Sequence, residues 1–155
     1  MDIITHALLG AAIAPRQELA LPMAITSTIP DWWTVPPIVE YLWQHRGRFN
    51  NQDFWRWVPA RYTELTRWSH SLVVLATACA VGYGIFRTSP WIFLPWLLHL
   101  IIDIPTHASS RTGYLFYPWS CWQPLGAVNW YEVWWFSIVT ILSLGTVVFF
   151  RFLHQ

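Results

Sequence analysis

The sequence contains no lysine, so all nine of its formal positive charges are arginines. Charged residues make up only 11% of the 155 residues, against roughly 25% in typical soluble domains. The net charge of +1 argues against a nucleic-acid partner held through many phosphate contacts. With hydrophobic residues at 55% of the chain, this scarcity of charge indicates a protein whose partner is the lipid bilayer.

Cysteine is also scarce, and its two residues, Cys79 and Cys121, lack the spacing of a metal-binding pair. We expect no disulfide, and Cys79 lies in an apolar run, where it is a small hydrophobic residue. The redox compartment therefore stays open. Because Asp2 stands where a cleavable signal peptide would carry basic residues, we also expect no such peptide.

Five apolar segments predict an all-α fold, an integral membrane helical bundle that forms a single domain over residues 1–155. The first two segments are each too short to cross a bilayer alone, and they predict a hairpin of short helices. The other three predict longer membrane helices, of which the last is the most convincing span. The five segments are residues 3–14, 19–29, 71–86, 91–104 and 130–153.

The stretches between these segments differ from membrane core. Residues 32–68 hold five arginines and many of the 13 tryptophans, which is typical of an interfacial loop at the lipid headgroups. Residues 106–129 contain Gly, Pro and Ser and predict a loop. If the segments alternate across the bilayer, the side that carries both stretches has six arginines against three. The positive-inside tendency places that side in the cytoplasm, at a prokaryotic inner membrane.

The most informative motif, His99-Leu100-Ile101-Ile102-Asp103, ends the fourth segment. Its His and Asp are four residues apart and therefore share one helical face. Ionisable residues within a membrane helix are costly and predict a functional site. The alternation of the segments brings further His and Asp residues to the same side and depth, namely Asp2, His6, Asp31, His70 and His107.

Imidazole and carboxylate groups are ligands of zinc, and also of manganese and iron. We therefore expect a four-ligand site for a divalent metal. Asp103 has a second oxygen, with which it could bridge to another ion held by His6. The four expected ligands are Asp31, His70, His99 and Asp103.

Several of these residues also suit structural roles. Asp2 and Asp31 could each cap a helix, and Asp2, His107 or the N-terminal amine could complete the second site. Arg67 and Arg111 lie beside the expected site. Guanidinium groups suit phosphate oxygens, and contact with lipid headgroups explains these arginines at least as well.

Five short pieces of the sequence occur in an order that resembles the DUF457, or YdjM-like, family of predicted membrane-bound metal-dependent hydrolases. Together they span about two-thirds of the chain. The first piece, in which Thr5-His6 leads into a helix of small residues, is the most recognisable. The pieces are Asp2-Ile3-Ile4-Thr5-His6-Ala7-Leu8-Leu9-Gly10, Ile29-Pro30-Asp31, Arg67-Trp68-Ser69-His70-Ser71-Leu72, His99-Leu100-Ile101-Ile102-Asp103 and Tyr117-Pro118-Trp119-Ser120.

A more distant resemblance is to the zinc-dependent phospholipase C and P1-type nuclease superfamily, whose helical enzymes carry a His-x-x-x-Asp motif followed by another His. That resemblance implies the same four-ligand site, with Asp103 bridging to a second site that includes His6. His107 follows Asp103 by four residues, a closer spacing than in the soluble enzymes.

The residues and the resemblance together predict a membrane-bound hydrolase with one or two divalent ions, zinc above all. Its substrate would be a phosphoester, such as a phospholipid, attacked by a water that the metal activates. Asp31 is the expected proton acceptor, and Arg67 or Arg111 would stabilise the developing charge. The alternative is a non-catalytic membrane protein that binds metal as a carrier, a structural element or a regulator.

Overall fold

The computed structural model describes residues 2–107, 114–124, 126–129 and 133–153. These residues form helices and no β-strand, so the predicted all-α class is confirmed. Short 3-10 helices precede α2, α3 and α7. The α-helices of the described chain are α1 (Ile3–Ala12), α2 (Ala20–Thr28), α3 (Val35–Gln44), α4 (Asn51–Trp57), α5 (Ala60–Ser69), α6 (Leu72–Gly84), α7 (Leu94–Thr106) and α8 (Trp134–Leu153).

Helices α1 and α2 form the expected hairpin of short helices. Their backbones touch at Gly10, where an added Cβ would lie 2.4 Å from the carbonyl oxygen of Met23. Asp2 fixes the start of α1, because its two carboxylate oxygens accept hydrogen bonds from the backbone N–H and the hydroxyl of Thr5 at 2.9 and 2.7 Å. The cap and the close approach together set the position of His6, which lies in the first turns of α1 and is fully buried.

Helix α7 packs against α6, and Leu75, Trp96 and Leu100 form the buried core between them. Each of these two helices has 13 residues. A bilayer span needs about 20 residues, so each of the two helices is shorter than one span. Three longer membrane helices were predicted, and α6 and α7 are shorter than that prediction requires.

Helix α8 is, within the described residues, the one helix long and apolar enough to cross a membrane, over Trp135–Leu153. Its side chains are largely exposed, with Leu142 at 65% and Phe149 at 59%. It packs along α1 on one side and presents apolar residues elsewhere. An exposed apolar helix of this length is suited to contact with lipid.

Residues 32–68 differ from the expected interfacial loop, because they fold into α3, α4 and α5. Tyr41 of α3 is buried and contacts the rings of Phe49, Phe54 and Trp57. Aromatic residues that are typical of a membrane interface here build a small core of their own. The prediction of about five helical segments was therefore too low.

Arg151 ties the end of α8 to the α1–α2 hairpin. Its guanidinium donates hydrogen bonds to the carbonyl oxygens of Ala12 and Ala14, both at 2.6 Å. Hydrogen bonds from a charged donor contribute about 1.5–3 kcal/mol. We expect Arg151→Met to lower the free energy of unfolding by about that amount, and a thermal melt to show a fall of about 2–4 °C for each kcal/mol lost.

Arg16→Met is the matched control for this substitution. Arg16 pairs with Glu18 at 3.8 Å, and both side chains are mostly exposed. Exposed ion pairs contribute little, so the melting temperature should hardly change. Equal losses in the two variants would contradict the role assigned to Arg151.

Candidate metal centre

Four of the predicted site residues converge at one place in the fold. Asp31 comes from the 3-10 helix Ile29–Thr34, His70 from the junction of α5 and α6, and His99 and Asp103 from α7. One nitrogen or oxygen of each lies within 4.8 Å of those of the other three. The two His and Asp103 are buried, and Asp31 is partly exposed. This group could hold a divalent metal ion.

The pair on α7 follows directly from helical spacing. His99 and Asp103 lie one turn apart, and His99 Nε2 is 3.1 Å from Asp103 Oδ2. Leu100 lies on the neighbouring face and packs in the core with Trp96. This packing fixes the rotation of α7, so that its polar pair points into the protein rather than toward lipid or water.

His70 sits where one helix ends and the next begins. Helix α5 ends at Ser69, and the side chain of Ser71 caps α6. Between them, the ring of His70 turns back over α5, and its Nδ1 lies 2.9 Å from the carbonyl oxygen of Thr66. The helix junction thereby aims Nε2 of His70 at the centre of the group.

Asp31 is brought to the same point by a contact between neighbouring residues. The hydroxyl of Ser69 donates a hydrogen bond to the carbonyl oxygen of Pro30 at 2.8 Å. Since Pro30 and Asp31 are adjacent, as are Ser69 and His70, this hydrogen bond joins the two segments that carry Asp31 and His70. Asp31 Oδ1 then lies 3.7 Å from His70 Nε2.

The second ring nitrogens of the two His are held by the main chain. His99 Nδ1 lies 2.7 Å from the carbonyl oxygen of Ser27, as His70 Nδ1 does near that of Thr66. A carbonyl oxygen only accepts, so each Nδ1 donates a hydrogen bond, and Nε2 is the ring atom that faces the centre of the group. Metal-binding His residues are oriented in this way.

The spacing of the ligand atoms fits a bound ion. Zinc–ligand distances of about 2.0–2.2 Å place the ligands of a tetrahedral ion about 3.3–3.6 Å apart. The two Nε2 atoms of His70 and His99 are 3.3 Å apart, and His70 Nε2 is 3.5 Å from Asp103 Oδ2. His99 Nε2 lies 3.8 Å from Asp31 Oδ1. Two imidazoles and two carboxylates at these separations suit zinc, and also manganese or iron.

Oδ2 is the oxygen of Asp103 that faces the other members of the group. The other oxygen, Oδ1, lies 3.2 Å from His6 Nε2 and 3.6 Å from His107 Nδ1. His6 also stacks on the ring of His99, with centroids 3.7 Å apart. The structure therefore places His6 beside the group, at the second oxygen of Asp103.

Two further residues of the expected second site have other partners. Both oxygens of Asp2 are bonded to Thr5 in the helix cap, which is the structural alternative named for it above. His107 Nδ1 lies 3.1 Å from the carbonyl oxygen of Asp103. Burial lowers the pKa of His107 to about 4, so its ring is neutral at pH 7. The N-terminal amine belongs to a residue outside the described ones.

Arg67 contacts Glu64 at 3.3 Å, and its guanidinium lies 4.8 Å from the ring centroid of Tyr114. The hydroxyl of Tyr117 also donates a hydrogen bond to Glu64. These contacts join α5 to the segment 114–124, next to His70. Arg111, the other arginine predicted to act on substrate, lies outside the described residues.

Ser27 is a residue that the sequence analysis missed. It is fully buried, and its carbonyl oxygen accepts from His99 while its hydroxyl donates to the carbonyl oxygen of His6 at 2.6 Å. No local pattern marks it. Thr66 could have been found, because it lies one helical turn before His70.

Comparisons of the chain with family models, with curated proteins and with solved structures find no match. The resemblance to the DUF457 family therefore stays a prediction.

Proposed function

We propose that this protein is a membrane-bound, metal-dependent hydrolase of phosphoesters. The observation that carries the proposal is the pair His70 and His99, whose protonated Nδ1 atoms are bonded to carbonyl oxygens and whose Nε2 atoms face Asp31 and Asp103. Buried carboxylates without compensating charge are costly. A divalent cation would compensate the buried carboxylate of Asp103 and would also attract the partly exposed carboxylate of Asp31.

Within this proposal, His70, His99 and Asp103 hold the ion with fixed orientation. When bound, the metal supplies Lewis acidity to a phosphoryl oxygen and lowers the pKa of a water molecule. Asp31 has a side chain 17% exposed, whereas those of the other three are at most 3% exposed. Asp31 is therefore the member that water reaches most easily, and we assign it the acceptance of the proton.

A second ion would lie at Oδ1 of Asp103, with His6 as its other ligand. His6 Nδ1 is buried and has no hydrogen-bond partner among the described residues, whereas Nδ1 of His70 and of His99 is held by a main-chain carbonyl oxygen. We therefore propose the four-residue group as the tighter site and the His6 side as the weaker. Arg67 and Arg111 would contact the phosphate.

The membrane part of the proposal rests on α8 and its exposed apolar surface. We propose that the protein is integral to a prokaryotic inner membrane with its metal centre toward the cytoplasm, as the arginine count predicts. A site in such a protein is reached most directly by a substrate already in the bilayer. A phospholipid, whose phosphoester lies at the headgroup level, is the substrate that fits best.

Activity should depend on metal and on Asp31. We expect the protein, purified with zinc and placed in nanodiscs, to hydrolyse a phospholipid or a small chromogenic phosphoester. A chelator should remove both metal and activity, and zinc should restore both. Asp31→Asn should retain most of the metal but lose about 10²–10⁴-fold in turnover, the usual contribution of a general base.

Asp53→Asn is the matched control for this experiment, because Asp53 is exposed on α4 and belongs to no ligand group in the described residues. It should keep full turnover. Metal at full occupancy with no hydrolysis of any phosphoester tested would contradict the catalytic proposal.

A structural metal centre is the second candidate. Four protein ligands already complete a tetrahedral set, and structural zinc sites are closed in this way, whereas catalytic sites keep one position open. Such an ion would fasten α7 to the α5–α6 junction and to the 3-10 helix Ile29–Thr34. Loss of the ion would then lower the melting temperature, and no turnover would be found at any metal concentration.

A further inference from the structure

Helix α3 has an apolar face that nothing in the described structure covers. Val35 is 43% exposed, Val39 61% and Trp43 87%, and Trp32, just before the helix, is 48% exposed. The spacing of three and then four residues places all four side chains on one helical face. This α3 stripe begins next to Asp31 and runs away from the metal centre.

The stripe is not the packing face of α3. The helix turns Pro37 and Tyr41 into the protein, where Tyr41 contacts Phe54 and Trp57. The helix is therefore apolar on two opposite sides, one of which already has its partner. An amphipathic helix in a soluble domain would carry polar residues on the outer side.

Arginines that form no ion pair within the described part of the chain follow the stripe in sequence. Arg46 and Arg48 come directly after α3, and Arg56 lies on α4. All three are exposed, and in the described part of the chain none of them contacts a carboxylate. Glu40 is the nearest acid on α3, and it accepts a hydrogen bond from Gln44. An apolar stripe beside unpaired arginines is complementary to anionic lipid.

We propose that the α3 stripe lies in the interface of a leaflet that contains anionic phospholipid, with Arg46 and Arg48 at the phosphate groups. Trp43 and Val39 enter the headgroup–acyl boundary, to a depth of about 5–10 Å. The stripe then forms a lipid-contacting path that leads from the leaflet to Trp32, next to Asp31. This docking rests on the membrane location proposed from α8 and does not depend on the metal or on hydrolysis.

The docking of α3 is tested by measuring the membrane depth of spin labels at single positions on the helix. A background without native cysteines, Cys79→Ala with Cys121→Ser, receives a spin label through Val39→Cys or Trp43→Cys in the full chain. The labelled protein is placed in nanodiscs of phosphatidylcholine with or without phosphatidylglycerol. We expect both labels to be relaxed by oxygen and shielded from a water-soluble nickel complex.

Two further labels serve as controls. Gln44→Cys is exposed on the neighbouring polar flank of α3 and should be accessible to the nickel complex. Leu142→Cys, on α8, should be shielded as a lipid-facing position. Replacing Arg46 and Arg48 by Gln should raise the nickel accessibility of the Val39 label in the anionic nanodiscs.

The labels on α3 and on α8 distinguish the docking of α3 from the membrane location of the whole protein. A shielded Leu142 label with nickel-accessible labels at Val39 and Trp43 overturns the docking of α3 alone. Nickel access at Leu142 overturns the span as well, and with it the membrane part of the proposed function. Strong spin–spin coupling between two Val39 labels would place a second copy of the chain on the stripe, which also overturns the lipid docking.

Discussion

Purified His99→Ala and Asp103→Ala proteins are expected to contain almost no metal. Each substitution removes a ligand atom from a group whose four candidate ligand atoms all lie within 4.8 Å of one another, and neither alanine offers a replacement. Changes to residues that merely orient a ligand typically cost about 10–100-fold in affinity, so loss of a ligand itself should cost more. Elemental analysis of the purified proteins measures the effect directly.

His45→Ala provides the control for non-specific loss of metal. His45 is exposed, stacks on Tyr41 with ring centroids 3.9 Å apart, and bonds the carbonyl oxygen of Tyr41 through Nδ1. It shares the chemistry of His99 without belonging to the group, so His45→Ala should contain as much metal as the natural protein. Equal metal in all variants, or none in the natural protein, would rule out the site.

The second large effect is expected at Gly10. A Cβ there would lie 2.4 Å from the carbonyl oxygen of Met23 and 3.0 Å from the Cα of Ala24, so α1 and α2 would have to separate. Overpacking of this kind costs about 1–3 kcal/mol. Because Ser27 on α2 holds both His6 and His99, the separation should also reduce metal retention. Thermal melts and elemental analysis of Gly10→Ala test both effects.

Gly145→Ala separates this effect from a general response to alanine. Gly145 lies within α8, and an added Cβ there would meet nothing within 4 Å. Alanine is favoured over glycine in a helix by about 0.8–1.0 kcal/mol, so this variant should be at least as stable as the natural protein. If Gly10→Ala melted at the same temperature as Gly145→Ala, the close approach of α1 and α2 would be unimportant.

The sequence was sufficient for the parts of the site that depend on spacing and on helix direction. The four-residue interval between His99 and Asp103 predicted their shared face, and the alternation of helices predicted that Asp31 and His70 would meet them. Both inferences use only the positions of side chains along the chain. The structure brings these four residues together, with Asp31 at the edge.

Other features of the fold could not be predicted from the sequence, because the same residue types suit two different environments. The aromatic residues around Tyr41 are equally suited to a membrane interface and to a small core, so α3, α4 and α5 were not predicted. Ser27 was missed for another reason: its contribution to His99 is a backbone carbonyl, which every residue has. The packing of α2 against α7 places this carbonyl oxygen next to the ring of His99.

The contact between His6 and Asp103 joins residues 97 positions apart, whereas all four residues of the metal centre lie between 31 and 103. During synthesis, Asp103 is therefore added only after nearly two-thirds of the chain has been made, long after His6. Ribosomes add about 5–20 residues per second, so the roughly 50 residues from Ile104 to Leu153 take about 3–10 s. A nascent chain thus has all four candidate ligands several seconds before Arg151 can fasten α8 to the hairpin, so a metal that binds this group could be captured before the bundle is complete.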